Sequence, residues 1–387
     1  MAIHVTFRNP SHPEYGTVEI AFPIPREQYG QTIEKLEALG LGDVLAGGCT
    51  IEQLHSEKPA DHQCRLLTGT PDEQVWLKEH LEILSAKETI LLPVALKQMP
   101  PQTAADVIHC LLSLSDYGIC SPAKDEEALG AFYLEYKTSL SSTHPFVDLK
   151  ELGRQYAALH PGAFFAGCYV EYPTEEIHPL YDGSNFPQRY QEGWSVKLKL
   201  SSASVPEGVW LRLPDYEDIN DGKPDEIRIA LDTLRAETVQ ECTLLEAECC
   251  LPQITALTEQ YDNLQELIYD GQSLGLVLEE NRRETPYFIE RLLAALEYEK
   301  CNQLAEALEI SQNLNHYDFI TSDMLSELAT IELHRAGISD KLIQSGCFDI
   351  EEYAISLLEE RGYACVRGMY VYRNIPPQEI VKSPVWH

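Results

Sequence analysis

Residues 148–170 read DLKELGRQYAALHPGAFFAGCYV, and residues 349–371 read DIEEYAISLLEERGYACVRGMYV. The two stretches align without a gap and are identical at six of 23 positions. The identical residues are Asp148, Glu151, Ala163, Gly167, Tyr169 and Val170, matched by Asp349, Glu352, Ala364, Gly368, Tyr370 and Val371. The first stretch predicts a helix over 148–159 and a strand over 164–172. We expect the second to form the same helix and strand.

Other segments recur at a similar distance along the chain. Residues 208–214 resemble 17–23, and residues 242–244 resemble 49–51. Six identities in one window could arise by chance, but the predicted elements of the two halves also follow in the same order. A divergent internal duplication accounts for both observations. Its join would lie near 180–205, where turn-forming residues are frequent.

Periodicity and capping signals predict the individual elements. Thr70, Pro71 and Glu73 form a capping-box sequence that predicts a helix start. A helix after Pro25 carries its apolar residues on one face, namely Tyr29, Ile33, Leu36 and Leu39. The remaining predictions are strands at 4–8 and 17–22 and helices at 103–114, 126–136, 263–270, 286–298, 302–310 and 323–334.

These elements predict an α+β fold, in which an elongated, multi-domain chain contains small antiparallel sheets, packed helices and helical-bundle segments. The first unit would cover residues 1–190 and the second 191–387. Each is expected to contain a sheet with a helix (1–66 and 191–255), a helical part (70–140 and 256–336) and a helix–strand part (146–172 and 339–374).

Negative charge is concentrated in the second half. Residues 201–350 hold 30 acidic and 10 basic side chains, and the whole chain has a net charge of −33. Apolar residues make up 44% of the chain, which argues against disorder. A solvated acidic face is the ordinary explanation of such an excess. A folded anionic surface also repels nucleic acid and membranes and attracts basic protein sites.

The acidic residues also show a helical spacing. Glu259, Asp262, Glu266 and Asp270 are separated by 3, 4 and 4 positions, which predicts a stripe along one helical face. Like charges at these spacings destabilise a helix by a few tenths of a kcal/mol per pair, so folding alone does not favour them. The candidate partner-binding carboxylates are these four together with Glu290, Glu297, Glu306, Glu309, Asp323 and Glu327.

Charge density limits how such carboxylates could replace DNA phosphates. Duplex DNA carries one charge per ~1.7 Å, so a net charge of −33 corresponds to roughly 55 Å of duplex. One helix with an acid at every fourth residue rises ~6 Å per charge, which is too dilute. A mimic would therefore need several helices side by side.

The sequence contains no strong signal for an enzyme. It lacks a nucleophile elbow, a Gly-rich phosphate loop and the zinc-protease motif. Residues 215–222 resemble a calcium loop, but Ile219 occupies a ligand position, so an acidic turn is the favoured interpretation. The spacing of Cys49, His55, His62 and Cys64 fits no common zinc site. We expect no catalytic residue, metal or cofactor.

The chain resembles the ArdA antirestriction family at several structural motifs. These are residues 339–342, 349–353, 362–363 and 370–372 near the C-terminus, 148–154 in the first half, and 16–29. The resemblance covers most of both halves, and its motifs are structural and moderately specific. Family members usually hold one such unit, whereas this chain would hold two.

The resemblance implies a cytoplasmic, non-enzymatic DNA mimic. Such a protein would bind type I restriction-modification enzymes in their DNA groove, at the methyltransferase core, and would not bind nucleic acid or membranes itself. It would be a homodimer or a single-chain pseudo-dimer. Absence of a secretory signal and of a long apolar run also predicts a cytoplasmic protein. The alternative is an acidic protein of a mobile element that binds another basic DNA-processing protein.

Overall fold

The computed structural model describes the chain in nine stretches, which are residues 3–22, 24, 28–40, 50–56, 69–138, 146–174, 181–215, 226–284 and 287–374. The chain divides into two compact units. The first comprises residues 1–250 with 261–268, and the second comprises 251–260 with 269–387. The predicted boundary near residue 190 refers to the sequence repeat and stays a prediction.

The described residues form twelve strands and fourteen α-helices. The strands are β1 (Ile3–Arg8), β2 (Thr17–Phe22), β3 (Thr50–Ser56), β4 (Gly118–Cys120), β5 (Gly162–Phe165), β6 (Cys168–Glu171), β7 (Val196–Ser201), β8 (Val209–Leu213), β9 (Thr243–Cys249), β10 (Tyr317–Thr321), β11 (Ala364–Val366) and β12 (Met369–Arg373). The strands pair into four antiparallel sheets of three strands. The predicted α+β class with small antiparallel sheets is therefore confirmed.

The helices lie between and after these strands. They are α1 (Tyr29–Ala38), α2 (Pro71–Glu82), α3 (Ala86–Gln98), α4 (Ala104–Leu112), α5 (Glu126–Lys137), α6 (Leu149–Leu159), α7 (Glu226–Leu234), α8 (Leu257–Gln260), α9 (Leu264–Glu284), α10 (Phe288–Glu299), α11 (Leu304–Gln312), α12 (Ser322–Arg335), α13 (Asp340–Ile343) and α14 (Ile350–Glu360).

The sheets β2-β1-β3 and β8-β7-β9 share their topology. In both, the first strand in the chain is central and a helix precedes the third strand. A β-bulge on the third strand shifts its pairing with the central strand after the central strand's fourth residue, between Thr6 and Phe7 of β1 and between Lys199 and Leu200 of β7. Because bulges interrupt a ladder at defined positions, their agreement supports the predicted repeat. Its origin by duplication stays a prediction.

The sheets β4-β6-β5 and β10-β12-β11 form a second similar pair. Before each hairpin lies a helix of eleven residues capped by aspartate. The N–H of Glu151 donates to Asp148 Oδ1 at the start of α6 (3.0 Å), and the N–H of Glu352 donates to Asp349 Oδ1 at the start of α14 (3.1 Å). These caps satisfy otherwise unpaired donors of the first turn. The predicted helix-then-strand order of both stretches is confirmed.

The single strand predicted at 164–172 is wrong, because the chain reverses within it. Ala166 (φ 54°) and Gly167 (φ 83°) both take the left-handed conformation between β5 and β6. Arg367 (φ 51°) and Gly368 (φ 78°) do the same between β11 and β12. Two consecutive left-handed residues match the twist of a tight hairpin, so each predicted strand is a two-stranded hairpin.

The helical part after β3 contains three capping boxes, which start at Thr70, Ser85 and Thr103. Thr70 caps α2 together with Glu73, as predicted, since the N–H of Glu73 donates to Thr70 Oγ1 (3.2 Å) and the N–H of Thr70 donates to Glu73 Oε2 (2.7 Å). Ser85 with Glu88 caps α3, which was not among the predicted helices. Since each box satisfies two helix-end donors, the starts of α2 and α3 are fixed locally.

The apolar face predicted for α1 is partly wrong. Leu36 and the adjoining Leu39 are buried, but Ile33 is 53% exposed. Thr32 occupies the inner position instead. The side chain of Tyr29 lies outside the described residues.

No described helix has the length and hydrophobicity required to cross a membrane. The described cysteines are all free thiols, and Cys110 and Cys301 are buried, whereas Cys242 is half-buried.

Candidate protein-binding surface

The four carboxylates expected to form one stripe lie on different elements. Glu259 belongs to α8, Asp262 lies in the connection after it, and only Glu266 and Asp270 share α9. The predicted continuous helical face is therefore wrong. We keep these residues as candidates individually, but not as one row of charge.

Two polar side chains explain why the helix breaks there. Gln260 Oε1 accepts the N–H of Leu304 (2.9 Å), so Gln260 satisfies the start of α11. Asn263 Oδ1 accepts the N–H of Gln265 (3.0 Å) at the start of α9. The cap by Asn263 is local and offers the backbone an alternative to a continuous helix, so α9 starts as a separate helix after α8 has ended at Gln260.

The other six candidates form three pairs that each share a helix face. The pairs are Glu290 and Glu297 on α10, Glu306 and Glu309 on α11, and Asp323 and Glu327 on α12. All six are exposed and all belong to the second compact unit.

Most of the ten candidates lack a cationic partner among the described residues. Glu297 pairs with Arg367 (3.5 Å), and Asp270 is half-buried and has a contact of its own. Each of the other eight is exposed and forms no ion pair within the described part of the chain. They are Glu259, Asp262, Glu266, Glu290, Glu306, Glu309, Asp323 and Glu327.

Part of this pattern follows from helix electrostatics. Glu290, Glu306 and Asp323 lie in the first turns of α10, α11 and α12. A carboxylate there stabilises the helix by typically ~0.3–1 kcal/mol through the macrodipole. Glu309 and Glu327 lie beyond the first turn and gain nothing comparable. Their unpaired charges are available to an external cation.

The first compact unit uses its cations differently, in a buried network that the sequence reading missed. Lys197 on β7 donates to Glu88 Oε2 (2.9 Å) and to the Ile83 carbonyl (3.1 Å). Arg212 Nη1 lies 3.6 Å from Glu88 Oε1. All three side chains are at least 87% buried. Lys197 and Lys199 alternate with apolar residues on β7, and this alternation is typical of a strand. It was the signal from which the strand could have been predicted.

The pKa of Glu88 is lowered to about 2 by this network. Burial alone would raise the pKa, but the nearby charges of Lys197 and Arg212 and the N–H of Ser85 outweigh it. The carboxylate of Glu88 is therefore charged at neutral pH, and its partners make that charge tolerable in a buried position.

Glu226, at the start of α7, is the opposite case. Its side chain is 5% exposed and its Oε2 has no hydrogen-bond partner among the described residues. Burial, together with the charges of Glu88 and Asp215, raises its pKa to about 7, despite the opposing charges of Lys87 and Arg212. Unlike Glu88, it titrates near neutral pH.

This carboxyl group predicts a specific pH dependence of stability. Because the folded pKa lies above the value of 4.5 for an ordinary glutamate, the folded state binds the proton more tightly. Stability from this group is full below about pH 4.5 and is lost as pH rises through about 7. We expect the unfolding free energy of Glu226→Gln minus that of the native protein to rise by about 3 kcal/mol between pH 4.5 and pH 8. Urea denaturation at several pH values measures this difference, and a flat curve would contradict the assignment.

The predicted alternatives for metal binding fall largely outside the described residues. Cys49, His62 and Cys64 lie there, as do residues 216–225 of the calcium-like loop. Asp215 is described, and its Oδ2 accepts the N–H of Ile227 (3.0 Å), as expected for an acidic residue before a helix. The described residues contain no cluster of three or more potential metal ligands.

A cavity of about 530 Å³ opens in the second compact unit between α9, α10, α11 and β10. We call it the α10 cavity. Its apolar wall includes Val277, Phe288 and Phe319, and Arg291 lies over the ring of Phe319 at 5.8 Å from the centroid. This volume is in the range of sites that hold small molecules.

One side of the α10 cavity is held by a charged hydrogen-bond group. The hydroxyl of Tyr317 donates to Glu299 Oε1 (2.8 Å), and Arg373 Nη1 binds the same oxygen (2.9 Å). Burial and the bond to Glu299 raise the pKa of Tyr317 well above its usual value. Tyr317 is thus a fixed, neutral part of the wall.

Comparison of the chain with protein-family models, with curated proteins and with solved structures found no match.

Proposed function

We propose that this protein is an antirestriction protein that binds type I restriction-modification enzymes and occupies their DNA-binding groove. One observation carries the proposal: five carboxylates on α10, α11 and α12 face solvent and lack cationic partners among the described residues, namely Glu290, Glu306, Glu309, Asp323 and Glu327. The resemblance of the sequence to the ArdA family supplies the class of partner. The protein would act in the cytoplasm and perform no chemistry itself.

The physical argument concerns what the exposed carboxylates can replace. A groove that holds DNA presents Lys and Arg at phosphate spacing. A carboxylate that already pairs with a cation of its own protein attracts the Lys and Arg of such a groove only weakly. Neighbouring carboxylates without a cationic partner, such as Glu306 with Glu309 and Asp323 with Glu327, keep their full charge. Two helices bearing such pairs, together with Glu290 on α10, raise the charge density beyond that of one helix.

A competition titration tests the proposal. A labelled DNA duplex bound to a type I methyltransferase core is challenged with increasing amounts of this protein. We expect complete displacement of the duplex, because both ligands would use the same Lys and Arg of the enzyme. Apparent affinity should fall at least about tenfold between 50 and 200 mM salt, as for charge-dominated association.

The titration also separates the proposal from its alternative. A ternary complex of enzyme, duplex and protein would contradict groove occupancy. Absence of binding to the methyltransferase core at 50 mM salt would leave an acidic interaction protein with another basic DNA-processing partner as the better account. Transformation of restricting and non-restricting hosts with unmodified plasmid provides the cellular counterpart, with protection expected only in the restricting host.

A further inference from the structure

The α10 cavity is not an inevitable product of the fold. Its wall from α11 to β10 has a counterpart 200 positions earlier, from α4 to β4, where the helices have the same length and the strands the same place in their sheets. In that counterpart Leu112 and Ile119 are 8% and 2% exposed. The corresponding Gln312 and Phe319 are exposed and half-exposed. A polar side chain and a more exposed aromatic one thus replace two buried aliphatic side chains.

The arginine at the rim of the α10 cavity is also unusual for this unit. Arg335, Arg361, Arg367 and Arg373 each pair with a carboxylate. Arg291 is the one arginine among the described side chains of the second unit that forms no ion pair. In a strongly acidic protein, a guanidinium without a carboxylate is open to an external anionic group.

The remaining lining defines what kind of molecule would fit. Both the half-exposed Phe319 and the buried Phe288 line the cavity, and the side-chain amides of Gln312 and Asn315 form no hydrogen bond within the described residues. Glu280 also lines the cavity and forms no described ion pair. A carboxylate acceptor and a guanidinium donor at one cavity suit a ligand that carries both charges.

We propose that the α10 cavity binds an aromatic amino acid as its zwitterion. Arg291 would hold the carboxylate, Glu280 the ammonium group, and the two phenylalanines the ring. The protein's net charge of −33 repels small anions such as nucleotides, whereas a zwitterion adds no net charge. This site is separate from the carboxylate surface and does not depend on antirestriction activity.

Isothermal titration of the full chain with L-phenylalanine and L-tryptophan tests the proposal. The matched analogues are 3-phenylpropionate, which lacks the ammonium group, and phenethylamine, which lacks the carboxylate. A third comparison uses AMP. We expect an amino acid to bind and both analogues to bind at least ~10-fold more weakly, because each loses a charge-assisted hydrogen bond.

Arg291→Gln should weaken amino-acid binding at least ~10-fold for the same reason. Lys300→Gln is the control. It removes the same charge at the other end of α10, and Lys300 does not line the cavity. Both residues are exposed, so both variants should fold, which thermal unfolding verifies. Absence of amino-acid binding at millimolar concentration, or equal binding by Arg291→Gln, would overturn the proposal. Tighter binding of AMP or of 3-phenylpropionate would overturn the zwitterion assignment.

Discussion

Replacing Glu290, Glu306, Glu309, Asp323 and Glu327 together by their amides is expected to weaken binding to a type I methyltransferase core at least ~100-fold at 50 mM salt. This corresponds to about 3 kcal/mol of binding free energy. The reason is that each carboxylate is exposed and has no cationic partner in the described chain, so each would face a Lys or Arg of the enzyme. Close charge pairs across interfaces contribute ~1.5–7 kcal/mol where measured. The displacement titration described above measures the change.

The fivefold variant should keep its fold, since it breaks no ion pair. A matched control changes the same number of exposed, unpaired glutamates in the first compact unit. These are Glu34, Glu37, Glu79, Glu127 and Glu135. The control protein has the same net charge as the variant and should keep most of its affinity. Equal loss in both proteins would mean that binding depends on overall charge and not on α10 to α12.

Lys197→Met is expected to lower the free energy of unfolding by about 3–5 kcal/mol. Methionine approximates the shape of the lysine stem, so little cavity is created. Glu88 would then be left buried with the more distant Arg212. Urea denaturation at pH 7 measures the loss. The double variant Glu88→Gln with Lys197→Met should recover part of it, because no uncompensated charge is left. Unchanged stability of Lys197→Met would show that the pair contributes no net energy.

The same pair predicts behaviour in acid. Because the folded pKa of Glu88 is about 2 and the ordinary value is 4.5, its contribution is full above pH 4.5. It is lost as pH falls from 4.5 toward 2. Lys197→Met should therefore show a weaker dependence of stability on pH in this range than the native protein does.

Local signals allowed much of the fold to be predicted. The capping box at Thr70 involves residues three positions apart, so a single sequence contains the whole interaction. The hairpin turn at Ala166 and Gly167 was missed because only the second residue is glycine. The strand β7 was missed because the frequent turn-forming residues of 180–205 favour a join between repeats over a strand.

Predicting the candidate surface was harder, because it depends on distant contacts. The spacing of Glu259, Asp262, Glu266 and Asp270 is helical, but Gln260 caps a helix that begins more than 40 residues later. Periodicity carries no information about that bond. Likewise, Lys197 and Glu88 are 109 positions apart, and the sequence around either residue does not indicate its partner. The α10 cavity also required knowledge of which residues meet in space.

The Glu88–Lys197 pair also bears on how this chain could have evolved. Glu88 lies in the predicted first unit (1–190) and Lys197 in the predicted second (191–387), yet both belong to one compact unit of the structure. A recombination event that deleted residues 191–387 would expose part of α3 and leave the carboxylate of Glu88 without Lys197 and Arg212. We therefore expect a product that ends before residue 191 to be less stable than the full chain, and loss of the second predicted unit would be selected against for that reason.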